Sequence, residues 1–291
     1  MSEVTASQER LEVRKTYKLF VGGAFPRSES GRSYPVRGAD GELLAYAAQA
    51  SRKDLRDAVV AARRAVASWS GATAYNRGQV LYRVAEMLEG RAAQFTAEVA
   101  AAEGVRTRRA REIVAAAIDR WVWYAGWSDK LAQVAGAANP VAGPYFNFSV
   151  PEPTGVVVSL APAESSLLGL VSVLAPVIVT GNTAVVVASE PHPLPAITLS
   201  EVLATSDVPP GVVNVLTGRL TELAPVAASH RDVDAIDLTG VSGGDRASRE
   251  RAAAGNLKRV YHGDELWDES PGTRRLLATV EIKTVWHPVG I

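Results

Sequence analysis

From Gly155 onward the chain alternates short, wholly apolar runs with helical stretches, and this rhythm constrains the fold more than any other feature. The runs are GVVVSLAP at 155–162, TAVVVAS at 183–189, VVNVLTG at 212–218 and AIDLTG at 235–240, with apolar or amphipathic segments between them. A strand that is apolar on both faces must be covered on both faces, and a strand–helix–strand order supplies that cover through parallel crossovers. The pattern predicts an α/β fold, a Rossmann-type doubly wound parallel sheet.

The region before it reads differently. LFVGGAF at 19–25 suggests two short strands about a Gly-Gly turn, and 31–48 continues in strand-like pieces broken at Asp40-Gly41. Ser51, three residues before Asp54, is a helix N-cap, followed by Leu55, Ala58, Val59, Ala62, Val66 and Trp69 at helical spacing. A second helical pattern spans 77–104 and a third 111–131, the latter carrying Trp121, Trp123, Tyr124 and Trp127 as core or interface aromatics. Residues 136–144 read as a Gly/Pro/Ala/Asn linker, and Tyr145 to Val150 as an extended arm. The last stretch is strand-like, with Val280, Ile282, Thr284 and Trp286 on one face.

Composition removes several function classes. Lys+Arg and Asp+Glu are both 31, so no net charge draws the chain to nucleic acid or an anionic membrane. The polar N-terminal stretch has no apolar run of signal-peptide type, and 167–179 is too short and interrupted to span a bilayer, so a cytoplasmic address is expected. There is no cysteine among the 291 residues, which excludes disulfides, thiolate metal sites and a thiol nucleophile. His192, His230, His262 and His287 lack metal-ligand spacing, so no metal is expected. Ser165-Ser166 lacks a nucleophile-elbow motif and reads as helix capping, and the basic run Arg106 to Arg111 as a solvated helix face.

Several segments together resemble the aldehyde dehydrogenase superfamily: LFVGGAF, WVWYAGWSDKL at 121–131, EPTGVVVSLAP at 152–162, LAPVIVTGNTAVVV at 174–187, PPGVVNVLTG at 209–218 and HRDVDAIDLTG at 230–240. They follow the family's order, and VEIKTVWHPVG at 280–290 is similar to its terminal strand. The resemblance implies an N-terminal β layer and helical part over 1–135, a linker and first oligomerisation strand over 136–154, and a nucleotide-type α/β unit over 155–262. It further implies a short replacement of the catalytic domain over 263–279 and a C-terminal oligomerisation strand over 280–291.

What the family uses for chemistry is missing at the matching positions. The resemblance places the family's glutamate base at Gly263 and its oxyanion asparagine at Glu164, and the thiol has no counterpart, so no catalytic residue is expected. A ribose-binding lysine matches Val187, while Glu190 of the same motif survives. In the phosphate turn Gly240 is kept, but the second glycine is Asp245. Two like charges ~5 Å apart repel by roughly 3 kcal/mol at an effective dielectric of ~20, so Asp245 would oppose a pyrophosphate. Glu190 and Gly240 are thus vestigial cofactor contacts, and no cofactor is expected, with NAD(P) weak at best.

The family's arm adds a strand to a neighbouring subunit's catalytic domain, which this chain can donate to but cannot reciprocate. The implied oligomerisation residues are Tyr145, Phe146, Phe148, Val280, Ile282, Thr284 and Trp286. A homodimer would leave those strands undocked and the former domain interface bare. The expected role is therefore a catalytically inactive subunit partnering a complete aldehyde dehydrogenase. A residual nucleotide or small-molecule binding module and a homomeric scaffold are the alternatives.

Overall fold

A computed structural model describes residues 13–290; the polar stretch at 1–12, part of the segment read as lacking a signal, lies outside the described residues. Among the described residues no helix is long and apolar enough to cross a membrane. The elements run β1 (Thr16–Tyr17), β2 (Ser33–Arg37), β3 (Leu43–Ala48), α1 (Arg52–Gly71), α2 (Ala74–Glu89), α3 (Ala92–Glu103), α4 (Thr107–Ala125) and α5 (Leu131–Ala135). After β4 (Ala137–Asn139) and β5 (Tyr145–Pro153) come β6 (Val156–Leu160), α6 (Leu168–Val179), β7 (Thr183–Val187), α7 (Leu194–Ala204), β8 (Val213–Leu216), α8 (Leu220–Ser229) and β9 (Ala235–Asp237). The chain closes with α9 (Gly243–Ala253), β10 (Arg259–Tyr261), α10 (Arg274–Ala278) and β11 (Val280–Pro288).

The central sheet is parallel, in the order β10-β9-β6-β7-β8. Every residue of β6, β7, β8 and β9 is buried, as their unbroken apolar composition requires. One face packs on the layer containing α2, α3, α4, α6 and α7, and the other on α1 and α8, so the sheet is doubly wound as the strand–helix rhythm predicts. The fifth strand, β10, was not foreseen from its residues: Arg-Val-Tyr is too short and too exposed to show a period.

Local chemistry sets several boundaries. Ser51 caps α1, its hydroxyl accepting from the amides of Lys53 and Asp54 while its own amide donates to the Asp54 carboxylate, a full capping box. The single helical pattern over 77–104 resolves into α2 and α3, because α2 is capped at Gly90 and Arg91 leaves helical geometry. The third helix starts four residues earlier than its periodicity suggests, at Thr107, and stops at Gly126. LFVGGAF forms a tight turn with a Val21–Ala24 bridge, and Phe20 bonds β8 through Val215.

The segment 136–144, read as a linker, contains β4, which pairs with β5. Asn139 is the reason: its side chain donates to Asn147 Oδ1 at 2.6 Å and Ser149 Oγ at 2.9 Å across the strands. The far side of β5 pairs antiparallel with β11 over nine residues, from Tyr145↔Pro288 to Pro153↔Val280. This makes a three-stranded arm in the order β11-β5-β4.

Candidate functional site

In a doubly wound sheet the crevice lies at the carboxyl ends of the strands where the winding reverses. Here β6 leads to β7 and β8 on one side, and the chain returns to β9 and β10 on the other, so the crevice lies between the ends of β6 and β9. Gly240 crosses directly behind it. Its amide donates to the Leu160 carbonyl at 2.9 Å, and a Cβ there would lie 2.2 Å from the Ala161 carbonyl oxygen. Glycine at 240 is accounted for by this close backbone approach.

The turn at 240–244 opens α9, as a helix-initiating turn should. Asp245 sits in the first turn of α9, 60% exposed and 3.8 Å from Arg249, where a carboxylate favours the helix dipole. That exposure screens its repulsion of an anion below the roughly 3 kcal/mol expected at partial burial. Glu190 serves a different purpose, since its carboxylate pairs with Arg219 at 2.6 Å and accepts the Leu220 amide at 2.9 Å, capping α8. Val187 is 1% exposed at the end of β7.

On the other side of the crevice the segment 263–279 is folded down onto the domain. Arg275, with a side chain 6% exposed, reaches Asp237 at the end of β9 at 2.5 Å and Glu265 at 2.8 Å, and stacks over Tyr261 and Trp267. Burial works against its charge, but the two carboxylates outweigh it and hold the guanidinium pKa above its ordinary value. Burial pulls Glu265 in the opposite direction, upward, yet the Tyr261 hydroxyl at 2.5 Å and Arg275 bring it below the usual carboxylate range.

Gly263 lies inside this knot. Its amide donates to Thr239 Oγ1, and a Cβ there would sit 1.8 Å from Glu265 Oε2 and 2.6 Å from Arg275 Nη2. A side chain at 263 would have to displace that ion pair. Glu164 is exposed on the opposite loop and accepts the Trp267 indole N–H at 3.1 Å, joining the two rims of the crevice.

The remaining anchors come from the helices. Arg120 of α4 donates to the carbonyls of Trp267 and Glu269, both at 2.8 Å, and Arg109 pairs with Asp268. Arg109 therefore belongs to this clasp rather than to a purely solvated face. Leu276 of α10 is 0% exposed. The segment 263–279 thus covers part of the domain surface beside α4 and α6. Ser165 caps as read, accepting the Gly169 amide at 2.9 Å, whereas Ser166 donates to Glu103 at 2.6 Å.

The arm divides the implied oligomerisation residues. Tyr145, Ile282, Thr284 and Trp286 share one face, with the Tyr145 and Trp286 rings edge-on at 5.7 Å; Phe146 and Phe148 share the other at 5.3 Å. Phe146, Ile282 and Trp286 are all more than half exposed. Val280 is a correction: at 3% exposed it belongs to the main core, because β11 leaves the domain surface there before it projects.

The aldehyde dehydrogenase family model matches residues 26–262. The chain belongs to the aldehyde dehydrogenase family. It is 34% identical over 266 residues to retinal dehydrogenase 2 of Homo sapiens, which covers 90% of this chain and 50% of that protein. It is 31% identical over 265 residues to cytosolic aldehyde dehydrogenase 1 of Elephantulus edwardii, covering 89% and 52%. Among solved structures, the NAD+ complex of the Bacillus cereus aldehyde dehydrogenase aligns with a TM-score of 0.81 at 26% identity, over 85% of this chain and 50% of that one. HpcC from Thermus thermophilus aligns at 0.80 and 30% identity, over 85% and 48%. This family member therefore spans about half the length of the relatives it matches.

Proposed function

We propose that this chain is a catalytically inactive aldehyde dehydrogenase-like subunit that associates in the cytoplasm with a complete NAD(P)-dependent aldehyde dehydrogenase and stabilises or regulates it. The observation that carries the reading is the arm. The paired strands β5 and β11 persist, with Phe146, Ile282 and Trp286 exposed, although only 263–279 separates β11 from the preceding α/β unit. The nine-residue edge strand β11, unpaired on its outer side among the described residues and carrying the exposed Trp286, suits strand addition to another chain.

The chemistry side supports the same reading. The 291 residues contain no thiol, Gly263 leaves no room for a base beside the Arg275–Glu265 pair, and Glu164 is a carboxylate where an oxyanion would need a donor. The residues at the crevice do not fit NAD(P) either: Val187 offers no hydrogen bond from its side chain, Glu190 is committed to Arg219 and α8, and Asp245 stands at the helix end that would face the phosphates.

The test is native mass spectrometry after co-expression with complete aldehyde dehydrogenases encoded beside this chain. A mixed assembly, abolished by Ile282→Asp with Trp286→Asp, is the expected result. A chain that stays alone, or forms only homomers, refutes the partnership.

A further inference from the structure

Beneath the clasping segment, between α4, α6 and residues 264–275, lies a cavity of about 370 Å³. Its inner wall carries Arg120 and Tyr124, 7% and 1% exposed. Among the described residues Arg120 is a buried cation with no carboxylate hydrogen-bonded to it: its three hydrogen bonds there go to Ser172 Oγ and the carbonyls of Trp267 and Glu269. Those bonds occupy part of a five-donor fork, and Nε is neither bonded nor sealed from solvent. The nearby Arg275, by contrast, is neutralised by Asp237 and Glu265.

The Tyr124 hydroxyl takes no partner among the described residues, yet it is not sealed either. A buried phenol ordinarily finds a partner. Arg274 also lines the cavity, exposed and without an ion pair among the described residues. The outer lip holds the exposed acids Asp264 and Glu269 alongside the apolar Leu266 and Pro271.

We infer that this cavity binds a small aliphatic monocarboxylate, its two oxygens received by Arg120 and Tyr124 and its tail lying along Leu266 and Pro271. An arginine edge is complementary to a planar carboxylate, and a phenol O–H adds a second charge-assisted bond. A phosphate dianion would bring its extra charge against Asp264 and Glu269. The site lies apart from the nucleotide contacts Gly240 and Glu190 and requires no partner subunit, so it stands or falls separately from the subunit reading.

The experiment is calorimetry on the full chain with sodium butyrate, and with phosphate at matched ionic strength. Butyrate should bind with a dissociation constant in the millimolar range, as suits so small a ligand, and phosphate should not. Tyr124→Phe should weaken butyrate about tenfold, the usual worth of a hydrogen bond to a charged group. It should leave the unliganded melting temperature unchanged, because the hydroxyl bonds nothing among the described residues. Arg274→Gln should weaken binding by a few-fold, as for an exposed charge. No heat with butyrate, phosphate binding as well as butyrate, or Tyr124→Phe binding like the parent would each overturn the inference.

Discussion

The central sheet and the arm are both rich in apolar side chains, but they use them in opposite ways. β6 to β9 bury every residue, whereas β11 buries Val280 and leaves Ile282 and Trp286 at 53% and 58% exposed. The sheet has helices against both faces, so its apolar surface is satisfied within the chain. The arm has no such cover among the described residues, so its apolar surface contributes little to folding and is free for association. Burial for folding and exposed apolar surface are therefore held in separate regions of this molecule.

Substitutions in the two regions should have opposite consequences. Val158→Asp, in the centre of β6, places a carboxylate where nothing can pair with it and should cost about 5 kcal/mol or more, enough to unfold the chain in urea titrations. Ile282→Asp should change stability by less than about 0.5 kcal/mol while removing the mixed assembly; equal losses of stability would erase the contrast.

The clasping segment lies between these extremes. Arg275→Met strands Asp237, whose side chain is 6% exposed, and should cost about 3–5 kcal/mol by chemical denaturation. A neutral outcome would mean that the segment does not hold the domain edge. Trp286→Ala should leave the melting temperature within about 2 °C, since the lost contact is an exposed ring pair.

The smallest effect concerns pH. Glu265 has a folded-state pKa below its ordinary 4.5, so its contribution is full above that value and is lost as pH falls through the lowered one. Glu265→Gln should flatten the stability profile below about pH 4.5 and leave its slope near neutrality unchanged. A profile that steepens on acidification in the variant would contradict the assigned sign.

Part of the candidate site was legible residue by residue, because it lies in segments that resemble a known pattern. Glycine at 263, glutamate at 164 and the absence of cysteine are visible in any reading of the chain. The clasp was not. Arg275 meets Asp237 across 38 positions and Arg120 meets Ser172 across 52, and neither member of either pair carries a mark of its partner. Tyr124 reads as one more helix aromatic, and only the packed structure leaves its hydroxyl without a partner among the described residues.

What depends on neighbours along the chain is legible in the sequence: the capping box at Ser51, the parallel sheet from its apolar runs, and the absence of cysteine. Tertiary structure decided the break between α2 and α3, the pairing of β4 through Asn139, the withdrawal of Val280 into the core and the fold of 263–279 over the crevice. The physical reason is range. Helix periods and caps are set within a few residues, but a short strand or a buried ion pair is stable only where distant segments meet it.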